Sequence, residues 1–510
     1  MTPQRLTRTA TLLAVSLLAA GCGTIDPTAF TRQEIEERVV RDEKAMYADQ
    51  EPISGPITFQ EAAARALKYN LDYRLKLMEN SLSRNLYDVS KYEMLPRLVA
   101  GAGYLSRNND SGGTSVSIET GEQTLSPSTS QQRHQTLANL SLSWNLLDFG
   151  VSYYRAQQKA DQVLMADERR RKVVQNVLQD VRNAYWRALG AQRLLSQVDS
   201  LLDRVRLALQ MARKVEKEGL MPRSQVLAYQ RALLDAVTLL SLRRQDLELS
   251  KAELVALMSI PPGVNIVLAD DTRIESLPSP PANIAALEAL ALRQRPEIME
   301  EWYRKRVTEN DIKAAKLLVW PNVSFDISGQ YDSNIYLYNQ SWIDTGLRVS
   351  WNIMKLAQLP ALERAQESQN QTDDMRRMAL SMAVLTQVRV GVQRYALSRM
   401  EFGVAEESLR VDEELLKYAR AAARTSFDSE LEVIRAEARA LLSRYQQHAA
   451  YSNAQAAWGR VYNSVGLDVM PETIASHDIK TLAAAIDTTL RQWQENLLAG
   501  PAFDGSDKVE

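Results

Sequence analysis

The tetrapeptide Leu142-Ser-Trp-Asn145 returns 207 residues later as Val349-Ser-Trp-Asn352. The same spacing carries Val226-Leu227 onto Val433-Ile434 and Ala212-Arg213 onto Ala419-Arg420. Upstream, Leu95-Pro-Arg-Leu98 is answered by Trp320-Pro-Asn-Val323 at a spacing of 225. A chain that repeats itself at fixed spacing folds as copies of one supersecondary unit. The difference between the two spacings places 18 extra residues in the first copy, between Pro96 and Trp144. That stretch includes Asn108 to Gln132, whose Ser, Thr, Gly and Asn content is that of a surface loop.

Each copy reads as helix, strand, loop, strand, long helix, turn, long helix. Thr58-Phe-Gln-Glu61 is a capping-box start, and the spacing predicts one helix from Phe59 to about Met94, ending before Pro96. Asn283 to about Val319 reads likewise, with Pro296 expected to break or bend it. In Ala138–Leu146, Ala, Leu, Leu, Trp and Leu alternate with Asn, Ser, Ser and Asn. Val323–Tyr331 and Ile343–Asn352 alternate in the same way, and the strand after Pro96 is weaker because Gly101 and Gly103 interrupt it. Period-two alternation over about ten residues fits a half-buried strand or a transmembrane barrel strand. Trp144, Trp351 and Tyr331 at strand ends favour the membrane, where barrels carry aromatic girdles. Four strands cannot close a membrane barrel, and an open edge in lipid leaves backbone groups unpaired. Several chains must each contribute four.

The helices after the strands are long. From Ala156 to Lys217 there is no Pro and one Gly, Gly190. About 60 residues at ~1.5 Å each span roughly 90 Å. Val174, Leu178, Val181 and Tyr185, then Leu195, Val198, Leu202, Val205 and Leu209, step by threes and fours, which is a bundle or coiled-coil stripe. A turn at Gly219-Leu-Met-Pro222 leads into a second helix, about Ser224 to Met258. The second copy repeats this from Pro360 to about Arg424 and from Glu430 to Val465.

Composition removes several classes of function. The 510 residues hold 61 Lys+Arg against 63 Asp+Glu, without the basic excess of a nucleic-acid binder. One cysteine excludes a disulfide framework, and His134, His448 and His477 have no metal-ligand spacing. No nucleophile motif, phosphate loop or carboxylate pair argues for catalysis, so neither an enzyme nor a cofactor is expected. Arg169-Arg-Arg-Lys172 reads as a solvated helix face. The one long apolar run lies at the N-terminus, which excludes a bundle of membrane helices.

That run, Thr11 to Ala20, follows Arg5 and Arg8 and ends in Leu18-Ala-Ala-Gly21 before Cys22. It has the charged start, short apolar core and small residues of a secretory signal. It resembles the bacterial lipoprotein signal, which implies a signal peptide over 1–21 and lipidation of Cys22, with palmitate among the expected acyl groups. Gly23, where an Asp would favour the inner membrane, implies the outer membrane by the same resemblance.

The order of elements over about Thr58 to Asp468 resembles the TolC-like outer-membrane factors, the exit ducts of tripartite efflux pumps and type I secretion systems. The resemblance rests on Cys22, the duplicated Trp-Asn strand ends leading into long helices, and the tip sequences Glu218–Gln230 and Arg424–Glu437. It implies a mainly α chain with membrane β. Two internal repeats of long coiled-coil helices plus four β-strands per chain would trimerise into a 12-stranded outer-membrane barrel on a periplasmic α-helical barrel. The domains expected are a signal peptide at 1–21, a lipid-anchored linker and equatorial segment at 22–57, and repeat 1 at 58–260. An inter-repeat linker at 261–282, repeat 2 at 283–468 and an equatorial helix with a disordered tail at 469–510 complete them.

The family's gate implies acidic residues in the second tip. Glu432 aligns with one such position, Arg435 stands where the next acid belongs, and Asp428 and Glu430 are nearby substitutes. Gly219, Leu220, Pro222 and Arg223, with Ser426 and Phe427, are the expected adaptor-docking tip. The implied partners are two further copies, outer-membrane lipid, a periplasmic adaptor and an inner-membrane RND, MFS or ABC pump. The function implied is passive conduction. A type I secretion duct is the near alternative, and a pore-less structural lipoprotein the distant one.

Overall fold

A computed structural model describes residues 28–123, 126–219, 222–270, 277–423, 429–468 and 476–499. A first unit, up to Gln50, holds helix α1 (Arg32–Met46). Its start is a reciprocal cap: the Thr31 hydroxyl accepts from the Glu34 N–H, and the Thr31 N–H donates to the Glu34 carboxylate at 2.8 Å.

The second unit, from Glu51, holds both copies. The first opens with α2 (Phe59–Tyr69) and α3 (Leu71–Tyr92), and continues with β1 (Arg97–Ser106), a small hairpin of β2 (Gly112–Gly113) and β3 (Ser128–Thr129), and β4 (His134–Asn145). It ends in α4 (Leu146–Glu218) and α5 (Arg223–Leu257). The second copy runs α6 (Ile284–Gln294), α7 (Pro296–Leu317), β5 (Asn322–Asp332) and β6 (Ser341–Ser350). A 3₁₀ turn (Ile353–Gln358) then leads to α8 (Leu359–Ala422) and α9 (Ser429–Val465), and α10 (Ile479–Ala499) follows.

The single helix expected over Phe59 to Met94 is two. Asn70 interrupts it with φ −59° and ψ 126°, and its side-chain oxygen accepts from the Tyr73 N–H at 3.1 Å. Asparagine is a strong N-cap, so it can stop one helix and start another where hydrophobic spacing runs on unbroken. The second copy breaks 225 residues later at Arg295, with φ −61° and ψ 123°, before Pro296 as expected. Proline fits the first helical position, where its missing N–H has no partner to lose.

The four long strands form one antiparallel sheet, in the order β1-β4-β5-β6. Register pairs run Leu98↔Leu142, Leu142↔Ile327 and Phe325↔Leu347, so the apolar residues of successive strands share a face. α4 starts ten residues earlier than the spacing suggested. Asn145 is the last residue of β4 and also the helix cap, accepting from the N–H groups of Leu147 and Asp148 at 3.0 and 3.1 Å. Its 73 residues span about 110 Å. In the second copy Asn352 makes no such bond, and α8 begins only at Leu359 with Pro360 in its first turn.

The helical stripe packs as its spacing implies. Val174, Leu178, Val181 and Tyr185 are buried against Ile57, α2, α5 and α10. Val198, Leu202, Val205 and Leu209 are buried against Leu233, Leu240 and Leu247 of α5, with Leu195 partly covered. Those α5 leucines, continued by Leu254, recur every seven residues and are all buried, which is a coiled-coil seam. A third cluster joins α6, α8 and α9 around Val388, Tyr395 and Trp458. Ile57 bridges Leu268 of the inter-copy connection, and Gln60 bonds Asp487 of α10 at 2.8 Å.

The basic run Arg169–Lys172 is not a solvated face. Arg169 pairs with Glu300 and Lys172 with Glu297, both on α7, while Arg170 pairs with Asp167 and Arg171 with Glu168 and Asp468. Glu297, held by Arg295 and Lys172 against the cost of burial, has its pKa lowered to about 2. The run ties α4 to α7 and to the end of α9. Asp167 and Glu168 are local partners, but Glu297, Glu300 and Asp468 lie over a hundred residues away, beyond the reach of local charge patterning.

Candidate conduit wall and helical tips

The sheet has the polarity opposite to that of a sheet in water. Along β5, Phe325, Ile327, Gly329 and Tyr331 are exposed, whereas Ser324, Asp326, Ser328, Gln330 and Asp332 are half-buried. On β6, Ile343 and Leu347 are 76% and 73% exposed. Such a face needs an apolar surrounding. β1 and β6 each have a strand partner on one side only, so both sheet edges present unpaired backbone groups. Strands of 10 to 12 residues match the length that crosses a bilayer as a tilted barrel strand. No helix among the described residues is long and apolar enough to cross a membrane.

At one end of the sheet, Asn334 joins the loops of the two copies. Its amide donates to the Ser130 carbonyl at 2.8 Å, and its side-chain oxygen accepts from the Gln132 N–H at 3.3 Å. At the other end stand Trp144, Trp320 and Trp351, all exposed, with the Trp351 indole N–H donating to the Val319 carbonyl at 3.0 Å.

The first helical tip closes at Gly219, whose φ of 65° is the left-handed conformation that favours glycine. Pro222 precedes α5 as its cap, and Arg223 reaches Glu216 at 3.7 Å across the turn. Gln230 donates to the same carboxylate at 2.8 Å. Leu220 lies outside the described residues, as do Cys22 and, at the second tip, Ser426, Phe427 and Asp428. Glu430 sits in the first turn of α9. Glu432 is exposed and pairs with Arg435 at 2.8 Å, so the residue standing in place of the second acid neutralises the first.

Sequence reasoning missed Glu437. Its side chain is 12% exposed and accepts from Arg204 of α4 and from Arg420 of α8, the latter at 3.0 Å. Its counterpart at the 207 spacing is Gln230, which also ties back to the preceding helix. That shared spacing is the signal that could have found it.

The described residues thus form an open four-stranded sheet with an exposed apolar face, set on long helical hairpins. Residues 64–259 match the family model of the outer membrane efflux proteins. The fold is that of the Campylobacter jejuni CmeC outer membrane channel, at a TM-score of 0.62, 12% identity and coverage of 92% of this chain and 99% of that one. The open state of the Neisseria gonorrhoeae MtrE outer membrane channel aligns at 0.61 and 14% identity, covering 82% and 94%. The Vibrio cholerae outer membrane protein VceC aligns at 0.59 and 13%, covering 80% and 96%. No curated protein matches the sequence. Residues 64–259 are thus similar to the outer membrane efflux proteins, and over most of its length the chain shares the fold of these channels.

Proposed function

We propose that three copies of this chain form the exit duct of a tripartite efflux system, passively conducting substrates from a periplasmic adaptor and an inner-membrane pump to the exterior. One observation carries the reading: an apolar-out, polar-in sheet with both edges unpaired, continuous through Asn145 with a helix of about 110 Å. Three such sheets close a 12-stranded barrel, which satisfies every edge that lipid would leave unpaired. Signal cleavage after 1–21 and lipidation of Cys22 would anchor the N-terminus in the outer membrane. In the trimer, Asp428, Glu430 and Glu432 recur three times around the axis as a candidate gate ring, in which Arg435 offsets the charge of Glu432 and Asp428 and Glu430 are left to attract cations. Gly219, Leu220, Pro222, Arg223, Ser426 and Phe427 form the candidate docking tip. Adaptor binding there shifts a closed–open equilibrium of the helices.

The test is in-cell crosslinking from a photoreactive residue at Leu220 or Phe427, with identification of what is captured. Capture of an adaptor together with an RND or MFS pump supports the efflux duct. An adaptor with an ABC exporter moves the protein to type I secretion. Loss of heat-resistant trimers from outer-membrane fractions would overturn the conduit altogether.

A further inference from the structure

The two copies meet along one helical joint and leave its twin open. α8 packs on α9, α9 on α4 and α4 on α5, so α5 and α8 are the two edges of a four-helix array. The closed joint is α4 against α9. Arg204 pairs there with Glu437, Arg444 donates to the Gln197 side chain at 2.6 Å, and the Ser452 hydroxyl donates to the Asn183 carbonyl at 3.4 Å. At Gly190 the two helices run close, and an added Cβ would stand 3.3 Å from the Cβ of His448. Ile434 and Leu441 of α9 are buried in the cluster formed with α4 and α5, at 2% and 7% exposed. The 207-residue spacing carries α4 onto α8 and α9 onto α5, so the twin of this joint is α8 against α5, the two opposite edges. Its residues are mostly apolar. Asn183, Gln197 and Arg204 correspond to Val390, Val404 and Val411, and Arg444 to Val237. Ile434 and Leu441 correspond to Leu227 and Leu234, which are 45% and 41% exposed. Gly190 and His448 correspond to Leu397 and Ser241, so the large side chain stands on the other side.

We propose that α8 of one copy docks on α5 of the next in the register of the closed joint, with Leu397 filling the room that Ser241 leaves. The proposal rests on the conduit reading and names the surface that joins its three copies. The occupant is a second copy because the exposed residues of each edge correspond to residues that already face one another inside the chain. Val390, Leu397, Val404 and Val411 are all exposed along about 30 Å of α8, and apolar area of that kind gains by being covered. A large residue opposite a small one keeps the side-chain volume of the joint, which close packing requires. The order of the array agrees with that of the sheet. α4 continues β4 and α8 follows β6, so α5 lies on the side of β1. The edge made by β6 and α8 of one copy therefore meets the edge made by β1 and α5 of the next. Unlike edges joined in this way close into a ring.

The experiment combines Leu397→Cys with Ser241→Cys in the full chain, oxidises outer-membrane fractions and runs a non-reducing denaturing gel. The approach of Gly190 to His448 is near the Cβ separation that a disulfide needs. A covalent trimer is expected. Leu397→Cys with Glu248→Cys, one heptad and about 10 Å further along α5, should yield about tenfold less. Each single variant, which retains Cys22, should give none. Equal yields from the two pairs, a bond closed inside one chain, or a product that stops at the dimer overturns the docking. A second measurement needs no disulfide: a photoreactive residue at Leu397 should crosslink to the α5 stretch around Ser241 of another copy, mapped by mass spectrometry. Capture of α8 by α8 would overturn the proposal. Failure of the conduit reading looks different, because heat-resistant trimers are then missing from the unsubstituted protein and both readings fall. Such trimers without the bond between positions 397 and 241 remove the docking and leave the conduit standing.

Discussion

The two copies follow the same backbone path with different chemistry. α2 and α6 have 11 residues each, α3 and α7 have 22, and the break between them has nearly the same φ and ψ in both. In the first copy an asparagine side chain makes that break. In the second it is made by proline, behind a buried arginine that reaches Glu297, Gln387 and the Ser464 carbonyl. Geometry is shared where the copies bury the same apolar faces. Chemistry diverges where they meet solvent or one another: at the loops joined by Asn334, and at the tips.

The largest effect that sharpens this contrast is expected at Arg295. Arg295→Met leaves Glu297 with Lys172 alone and the Ser464 carbonyl without the Arg295 donor, which should cost about 3–5 kcal/mol in denaturant melts. Glu437→Gln leaves Arg204 and Arg420 facing a neutral amide. It should cost about 2 kcal/mol locally, read as faster hydrogen exchange in the last turns of α4 and α8. Gln230→Ala in the first copy should move exchange far less.

His448, where the first copy has Ser241, comes next. Burial, reinforced by Arg193 and Arg444, pushes its imidazole down to about 4. The unfolded chain binds a proton as pH falls below 6.5, and the folded chain does not until about 4. Stability from this site is therefore present above 6.5 and lost as pH falls through that window, by about 3 kcal/mol. His448→Leu should flatten the profile between those values; an unchanged slope would mean that the ring is not buried neutral. Asn70→Ala should cost about 1 kcal/mol, the loss of one cap. Leu71→Pro, which copies Pro296 into the first break, should change stability by under about 0.5 kcal/mol, because that first helical position needs no N–H. A large loss there would show that the two breaks are less alike than their dihedrals.

What the sequence made legible follows the range of the forces involved. The duplicated Trp-Asn corners, the strand alternation and the apolar stripes are local patterns, and each led to an element, though not always to its ends. The break at Asn70 was missed because a side-chain cap competes with hydrophobic spacing, and the spacing alone runs through it. The early start of α4 was missed because Asn145 both ends a strand and caps a helix, so no loop marks the change. The pairing of Arg169 and Lys172 with α7 and the position of Glu437 needed contacts between distant segments, which charge patterning does not show. At the tips, the Glu432–Arg435 pair was half visible, as an arginine in place of an acid.

The seven-residue recurrence of Leu233, Leu240, Leu247 and Leu254 makes the hairpin a ruler graduated in heptads. Removing seven residues from α4 and seven from the facing stretch of α5 would shorten the hairpin by about 10 Å and leave the seams facing within about 20°. Removing a single residue would turn everything below it by about 100° and bring polar side chains into the seam. Because the second hairpin hangs from the same sheet, a cut of one heptad in the first would set the two tips about 10 Å out of level, so the reach of the chain can change only in whole graduations made in both copies at once.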